Sequence, residues 1–388
     1  MRLKFKRIIL IVLDGCGVGV QEDHKDFHSK KTNTIGNLYK SNPDFRLPFL
    51  ESIGLKDLLL LRHNGSVNPH AIFCKLKQTT PGNDTFAGMW EMFGVTFKKR
   101  FVSNGSGLGR ELLEVLKKNN LGTICNRFIS GYKALDKYYM RHKETCLPIL
   151  YVSNDGVLLL AAHDEVMSPD MLNEYAQKIS AFLFDKGFVR IITRPFTGKL
   201  GSFVRIEKFR KDFMLVKLPR INLLSEMRKS DVNIRITRHL NRIFNNPLGV
   251  DILNEFYSDN NELIKLIDED LRKKEFDLLI YVLPDTDNFG HKKDILGFQA
   301  SLQKTDKWLK ETAENLSKDD LLIITADHGC DPTVKLRGHC REFVPLMLYS
   351  PAISGYKALG DNHTFIDVGR TIFNNFKIPF KKGRNLLK

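Results

Sequence analysis

Asp327 and His328 stand side by side where an apolar run, Leu321-Leu322-Ile323-Ile324-Thr325, comes to an end. The run is aliphatic and β-branched, which reads as a buried strand. The pair lies within Ala326-Asp327-His328-Gly329-Cys330-Asp331-Pro332-Thr333, and His339 follows a short way on. A carboxylate and an imidazole at the C-terminal edge of a strand sit where open α/β sheets bind ligands. They can converge on one divalent cation, and burying either without a partner is unfavourable. Taken alone, the pair is also explained by an N-cap Asp beside a surface His. Other segments favour the cation.

Asp14 directly follows the apolar run Arg7–Leu13, within Leu13-Asp14-Gly15-Cys16-Gly17-Val18-Gly19. Glycine allows a sharp turn and close approach of a ligand, but the spacing is not G-x-G-x-x-G, so no nicotinamide site is expected. A third apolar run, Asp277–Leu283, leads into Pro284-Asp285-Thr286-Asp287-Asn288-Phe289-Gly290-His291. There Asp287 and His291 form D-x-x-G-H, which on a loop brings carboxylate and imidazole to one point. Thr85 lies in Pro81-Gly82-Asn83-Asp84-Thr85-Phe86-Ala87-Gly88-Met89-Trp90-Glu91. A helix-like stretch, Ala87–Phe93, places its hydroxyl at or near a helix N-terminus, where backbone N–H groups and the helix dipole favour a phosphate. An ordinary Thr N-cap is the plainer reading of this residue by itself.

Asp14, Asp287, His291, Asp327, His328 and His339 are six potential hard or borderline ligands, most of them at the ends of expected parallel strands. Six ligands suit two divalent ions, and a pair ~3.5–4 Å apart clamps a phosphoryl group for in-line displacement. Thr85, activated by coordination to a cation, is the candidate nucleophile. The chemistry expected is phosphoryl transfer through a covalent phosphothreonine.

Over nearly its whole length the chain resembles the phosphopentomutases of the alkaline phosphatase superfamily. The resemblance is carried by Asp327-His328-Gly329-Cys330-Asp331-Pro332-Thr333, Asp84-Thr85 with Trp90-Glu91, Gly290-His291, Arg194-Pro195-Phe196-Thr197-Gly198 and His339-Cys340-Arg341-Glu342. It implies two manganese ions, with magnesium, zinc or cobalt as alternatives. Asp14, Thr85, Asp327 and His328 would hold one ion, and Asp287, His291 and His339 the other. It further implies that Thr85 carries phosphate, that Asp155 meets the ribose, and that Arg194 and Arg205 lie near the sugar phosphate, a task suited to the planar guanidinium fork. The implied reaction interconverts (deoxy)ribose 1-phosphate and (deoxy)ribose 5-phosphate through a bisphosphate. There are departures. Asn83 stands where the family has Lys, Met89 where it has His, and His239 or Arg238 near the place of a further Lys. The loop before Gly290-His291 is one residue short, which leaves Asp285 as the alternative to Asp287. These changes keep open a metal-dependent phosphatase, a phosphodiesterase or another sugar-phosphate mutase.

To hold these residues the chain must alternate strands and helices. Strand-like runs at Arg7–Leu13, Asp277–Leu283, Leu321–Thr325 and Val344–Tyr349, with helical patterns over Asp294–Leu316 and Thr364–Phe376, predict a mainly parallel sheet with helices on both faces. The fold class expected is α/β, an alkaline-phosphatase-like core with an inserted α+β cap domain. The middle differs in character, with short strands at Ile149–Ser153, Val157–Ala161 and Val189–Thr193 and a helix opened by Ser168-Pro169-Asp170. Residues 101–219 are therefore assigned to the cap, and 1–100 and 220–388 to the core.

The 388 residues are 42% hydrophobic and 27% charged, ordinary for a soluble globular chain. No run approaches the ~18 apolar residues of a membrane span. The basic N-terminus precedes only six apolar residues and no small-residue cleavage pattern, so a cytoplasmic protein is expected. Six cysteines show no Cys-x-x-Cys pairing and read as reduced thiols. Cys330 and Cys340 lie near the expected cation site, where hard neighbours argue against thiolate ligation. The net charge of +15 is compatible with anionic partners, but it is scattered along the chain. A small phosphorylated sugar is therefore the expected partner, with nucleic acid disfavoured and a monomer the default.

Overall fold

The computed structural model describes residues 4–62, 65–101, 107–152, 156–219, 223–336 and 338–388. The chain divides into one unit of Met1–Lys98 with Arg220–Lys388 and a second of Lys99–Pro219.

The first unit opens with β1 (Arg7–Leu13), buried at all seven positions, then α1 (Thr34–Ser41), β2 (His70–Lys77) and α2 (Thr85–Met92). The second unit contains β3 (Ile124–Phe128), α3 (Gly131–Thr145), β4 (Ile149–Val152), β5 (Val157–His163), α4 (Pro169–Leu183), β6 (Arg190–Thr197), β7 (Val204–Arg205) and β8 (Asp212–Met214). The first unit resumes with β9 (Ile234–Thr237), β10 (Asp251–Leu253), α5 (Asn260–Lys273), β11 (Leu278–Leu283), α6 (Asp285–Lys292), α7 (Ile295–Glu314) and β12 (Asp320–Thr325). It ends with β13 (Val344–Tyr349), β14 (Gly355–Ala358), β15 (His363–Thr364) and α8 (Ile366–Asn375).

The sheet of the first unit runs β10-β9-β11-β1-β12-β13-β2-β14, with β15 also on β2. From β10 to β12 all neighbours are parallel; β13 runs against both β12 and β2. β1, β11, β12 and β13 are buried on both faces, as continuous aliphatic runs covered by helices should be. The register pairs Val12 with both Val282 and Thr325, so β1, β11 and β12 finish level with one another. Asp14, α6 and Asp327-His328 emerge from that common edge. At the other end of β1, a buried ion pair of Arg7 Nε and Asp320 Oδ1, 2.7 Å apart, ties it to β12.

In the second unit the order is β3-β4-β5-β6-β7, with β8 also on β6. Leu150, Leu158, Leu160 and Ile191 pack on α4 through Leu172, Ala176, Ile179 and Leu183. The opposite face of the sheet buries Tyr151, Ala161 and Phe196 against α3 through Ala134, Leu135 and Tyr138. Ser168 caps α4, accepting a hydrogen bond from Met171 N.

Candidate metal and phosphoryl-transfer site

Three strand ends deliver the acidic and imidazole side chains. His328 Nε2 lies 3.4 Å from Asp14 Oδ1, 3.4 Å from Asp327 Oδ2 and 3.2 Å from Thr85 Oγ1. His328 Nδ1 is 3.3 Å from the Gly329 carbonyl, which can only accept, so the proton belongs on Nδ1 and Nε2 presents its lone pair. Nearby, Asp287 Oδ2 is 3.1 Å from His291 Nε2, Asp287 Oδ1 is 3.5 Å from His339 Nε2, and the two Nε2 atoms are 3.1 Å apart. D-x-x-G-H is not on a loop, as its sequence suggested. It lies in α6, where the i, i+4 spacing puts Asp287 and His291 on one face. Asp285 does something else: it accepts from Asn260 N at 2.9 Å and so fastens the start of α5.

Three sets of ligand atoms lie within 4.8 Å of one another: Asp14, Asp327 and His328; Asp287, His328 and His339; and Asp287, His291 and Cys330. Asp14 Oδ1, Asp327 Oδ2 and Asp287 Oδ1 are buried and have no hydrogen-bond partner among the described residues. Burial, then the neighbouring charges of Asp327 and Asp287, push the Asp14 carboxyl well up. Burial, with repulsion from Asp287, brings Asp327 up to about 6. For Asp287 burial acts in the same direction, but the imidazoles of His339 and His291 outweigh it and hold the carboxyl well below the usual carboxylate range. Carboxylates crowded into a buried site, with lone pairs that no hydrogen bond uses, are what a divalent cation stabilises. The donor set of carboxylates, imidazoles and one hydroxyl fits hard and borderline divalent ions.

Thr85 is the first residue of α2 and is half-buried. Asp84 is the N-cap, its Oδ1 accepting from Ala87 N at 3.0 Å, which leaves the Thr85 hydroxyl free of capping duty. Gly88 allows the close approach of α2 to the Asp327 turn, because a Cβ there would lie 2.6 Å from the Asp327 carbonyl oxygen. Buried Glu91 accepts from Thr79 N (2.7 Å) and Thr80 N (2.6 Å), tying α2 back to the segment that leaves β2. The same segment is held by Arg341, itself buried. Its guanidinium donates to Gln78 Oε1 (3.1 Å), Gln78 O (2.8 Å), Thr80 O (2.8 Å) and Gly82 O, while Asp23 neutralises it at 2.9 Å. Asn83 Nδ2 donates to the carbonyl of His339 at 2.8 Å, a link between the two sides of the site. Glu342, which follows Arg341, accepts from Thr34 N (2.9 Å) and Gly19 N (3.1 Å), and burial brings its carboxyl up to about 7. The sequence marked Arg341 and Glu342 only as part of a motif, and nothing in the polar stretch before β13 signalled their burial.

In the second unit, Arg194 on β6 and Arg205 on β7 come together. Arg194 Nη1 is 2.9 Å from Glu207 Oε1, and burial with the nearby Arg210 lowers the Arg194 pKa to about 10. A Cβ on Gly131, the first residue of α3, would meet Arg205 Nη2 at 2.1 Å and the Tyr151 hydroxyl at 3.2 Å, so both polar ends crowd this helix start. The Tyr151 hydroxyl, Arg194 Nε and Arg205 Nε are buried without hydrogen-bond partners among the described residues. Ser130, the N-cap of α3, makes no side-chain capping bond. Two guanidinium groups, a hydroxyl and a helix N-terminus thus converge here, groups of the kind that can donate to an oxyanion. Tyr151 was missed in the sequence because it reads there as one more apolar strand residue. Asp155 lies outside the described residues. Arg238 donates to Asn254 O and stacks 4.4 Å over Phe256 at the edge of β9.

No described helix is long and apolar enough to cross a membrane. A family model described as Metalloenzyme superfamily matches residues 219–380. A protein named phosphopentomutase from Lachnoclostridium phytofermentans is 34% identical over 392 residues, covering 99% of this chain and 98% of its own length. Those of Caldanaerobacter subterraneus subsp. tengcongensis and Acetivibrio thermocellus are 33% and 32% identical, covering 99% and 95% of this chain and 98% and 95% of theirs. With similarity at this level along almost the entire length of the chain, it belongs to the phosphopentomutase family of metalloenzymes.

Proposed function

We propose that the protein interconverts the 1-phosphate and 5-phosphate of ribose or deoxyribose, with Thr85 carrying the phosphoryl group between turnovers. The observation that carries this reading is the Thr85 hydroxyl, 3.2 Å from His328 Nε2 at the start of α2, beside two buried carboxylates. Asp14, Asp327, His328 and Thr85 would hold one divalent cation and Asp287, His291 and His339 another, manganese being the first candidate for both. When bound, the cations supply Lewis-acid stabilisation of charge on the transferring phosphoryl oxygens.

The chain's own residues do the rest. Phosphorylated Thr85 has the N–H groups of the first turn of α2 to balance its charge. A sugar hydroxyl attacks phosphorus, the bond from phosphorus to Thr85 Oγ1 breaks, and a sugar bisphosphate forms. Thr85 Oγ1 then takes the phosphoryl group from the other end of the sugar, and the hydroxyl released there is protonated. Arg194, Arg205 and Tyr151 are suited to bind the phosphate that is not reacting, and Asp155 the ribose.

With manganese and a sugar bisphosphate to load Thr85, purified protein is expected to isomerise ribose 5-phosphate and to gain one HPO3 on the peptide containing Thr85. Thr85→Ala should lower the rate by at least ~10³-fold. A Thr85→Ala protein as active as the wild type would overturn the reading. A second reading, hydrolysis in place of isomerisation, is motivated by Asn83, whose amide is committed to the His339 carbonyl, and by Met89, fully buried where the family has His. Phosphate release outpacing isomerisation would favour it.

A further inference from the structure

We infer that Glu342 is a positioning residue for the candidate metal centre, its carboxylate setting the spacing of the backbone segments that carry Asp14, His328 and His339. The inference rests on the reading of those three residues as cation ligands and concerns what holds them in register. Glu342 is itself buried, 2% exposed, and belongs to none of the ligand groups described above.

Its Oε2 accepts from Thr34 N at 2.9 Å and from Gly19 N at 3.1 Å, and its Oε1 accepts from the Thr34 hydroxyl at 2.8 Å. Thr34 opens α1, so one carboxylate ties the glycine turn after β1 to a helix N-terminus. The same two oxygens press on bare backbone. A Cβ on Gly17 would overlap Oε2, and one on Gly329 would lie 2.6 Å from Oε1. Gly17 belongs to the turn that begins at Asp14, and Gly329 directly follows His328, so the carboxylate touches both ligand-bearing turns. The third segment is its own. Cys340 N donates to Gly329 O at 2.6 Å and Gly329 N to Cys340 O at 3.3 Å, which ties the backbone after His339 to the backbone after His328. Gln21 Nε2 donates to Glu342 O at 2.7 Å, and Phe343 N to Gly19 O at 2.7 Å, fastening this segment to the β1 turn.

Groups behind a ligand fix its direction, and removing one typically weakens metal binding by ~10–100-fold. Here shape decides, not charge, because all three donors to Glu342 are neutral. A glutamine can serve them: its oxygen takes the place of Oε2, and its amide donates to Thr34 Oγ1. An aspartate keeps the charge but is one methylene too short to meet both turns and α1.

Calorimetric titration of the metal-stripped full chain with manganese(II) tests this, alongside urea unfolding of each metal-free protein. Glu342→Ala and Glu342→Asp should bind manganese ~10–100-fold more weakly than the wild type, and Glu342→Gln as tightly. A residue that served only the fold would shift metal-free stability and leave Kd at the wild-type value, and that result overturns the inference. Should Glu342→Ala not fold, the other two variants decide: wild-type affinity in Glu342→Asp, or affinity in Glu342→Gln as weak as in Glu342→Asp, overturns it. A wild type that binds no divalent cation overturns it together with the two-cation reading. Manganese binding without isomerisation counts against the proposed reaction alone.

Discussion

The imidazole rings of His328 and His339 stack with centroids 3.9 Å apart and planes inclined by 23°. His328 follows β12 and His339 precedes β13, so the stack brings together the two ends of the segment that joins these strands. Two imidazolium rings would repel in this arrangement; two neutral rings, each offering a nitrogen to a cation, do not. His328 contributes to both the Asp14 group and the Asp287 group, which couples the two candidate ion positions through one ring.

The crowding of Asp14 and Asp327 predicts a pH signature that depends on metal. Asp327 is raised to about 6, so in metal-free protein its contribution to stability is present below the ordinary carboxylate value near 3.8 and is lost as pH rises through 6. A bound cation favours the ionised forms and reverses this. The difference in Tm between metal-loaded and chelator-treated protein should therefore widen between pH 4 and about 6. At cation concentrations ~100 times Kd the stabilisation amounts to ~2.7 kcal/mol per site. Asp327→Asn should flatten the metal-free curve, which thermal denaturation across that range measures.

Arg341, which grips the segment leading to α2, is expected to position Thr85. Arg341→Ala removes the charge facing Asp23 and strands the carbonyls of Gln78, Thr80 and Gly82, at an expected cost of ~3–5 kcal/mol by urea denaturation. Arg341→Lys keeps the charge but loses the fork. It should lower kcat more than it raises KM, because the segment entering α2 loosens while substrate contacts stay. Equal effects of Lys and Ala on stability, with kcat unchanged by Lys, would show that the fork does not position Thr85.

Tyr151→Phe separates binding from stability. Among the described residues no hydrogen bond of good geometry engages the hydroxyl, so its removal should change stability little. If Arg194 and Arg205 take phosphate, loss of a hydrogen bond to a charged group should weaken sugar-phosphate binding by ~1.5–3 kcal/mol, or roughly 10–150-fold. Calorimetric titration with ribose 5-phosphate tests this; unaltered affinity would remove Tyr151 from that role.

The second unit should weaken in mild acid. His142 is fully buried, with Nδ1 2.7 Å from Leu147 O and Nε2 accepting from His163 N at 3.0 Å, an arrangement that needs the neutral ring. Burial lowers its pKa. The folded form therefore binds the proton less readily than the unfolded one, and stability present above pH 6.5 is lost as pH falls below it. Hydrogen exchange at the His163 amide should accelerate in that range, and much less so in His142→Gln.

Much of the site could be read from the sequence because its residues follow runs that only a buried strand explains; Arg7–Leu13 and Val344–Tyr349 were bounded as they occur. α6 escaped notice for a physical reason. Of its eight residues only Thr286 and Gly290 are buried, so no apolar stripe marks it, and Asp, Thr and Asn suggest a loop. The direction of β13 was equally hidden, since a run buried on both faces has no periodicity that distinguishes parallel from antiparallel pairing. The uncapped start of α3 beside Tyr151 and Arg205 depends on tertiary proximity that no local pattern carries.

Because β13 lies between them, β12 and β2 point the same way yet sit two strand spacings apart, ~10 Å. Thr85, the proposed nucleophile, and the candidate ion-binding groups thus start from separate strands, and the 3.2 Å between Thr85 and His328 is set by a bridge spanning an intervening strand. A bridge of this kind acts as a lever, whose pivot is the segment gripped by Arg341 and Glu91 and whose tip is a hydroxyl. Substitutions that tilt the pivot move the tip relative to the ions while leaving the sheet untouched. The reach of the nucleophile is therefore an independently adjustable dimension of this fold, and a point at which one rigid frame can be retuned toward a different phosphoryl acceptor.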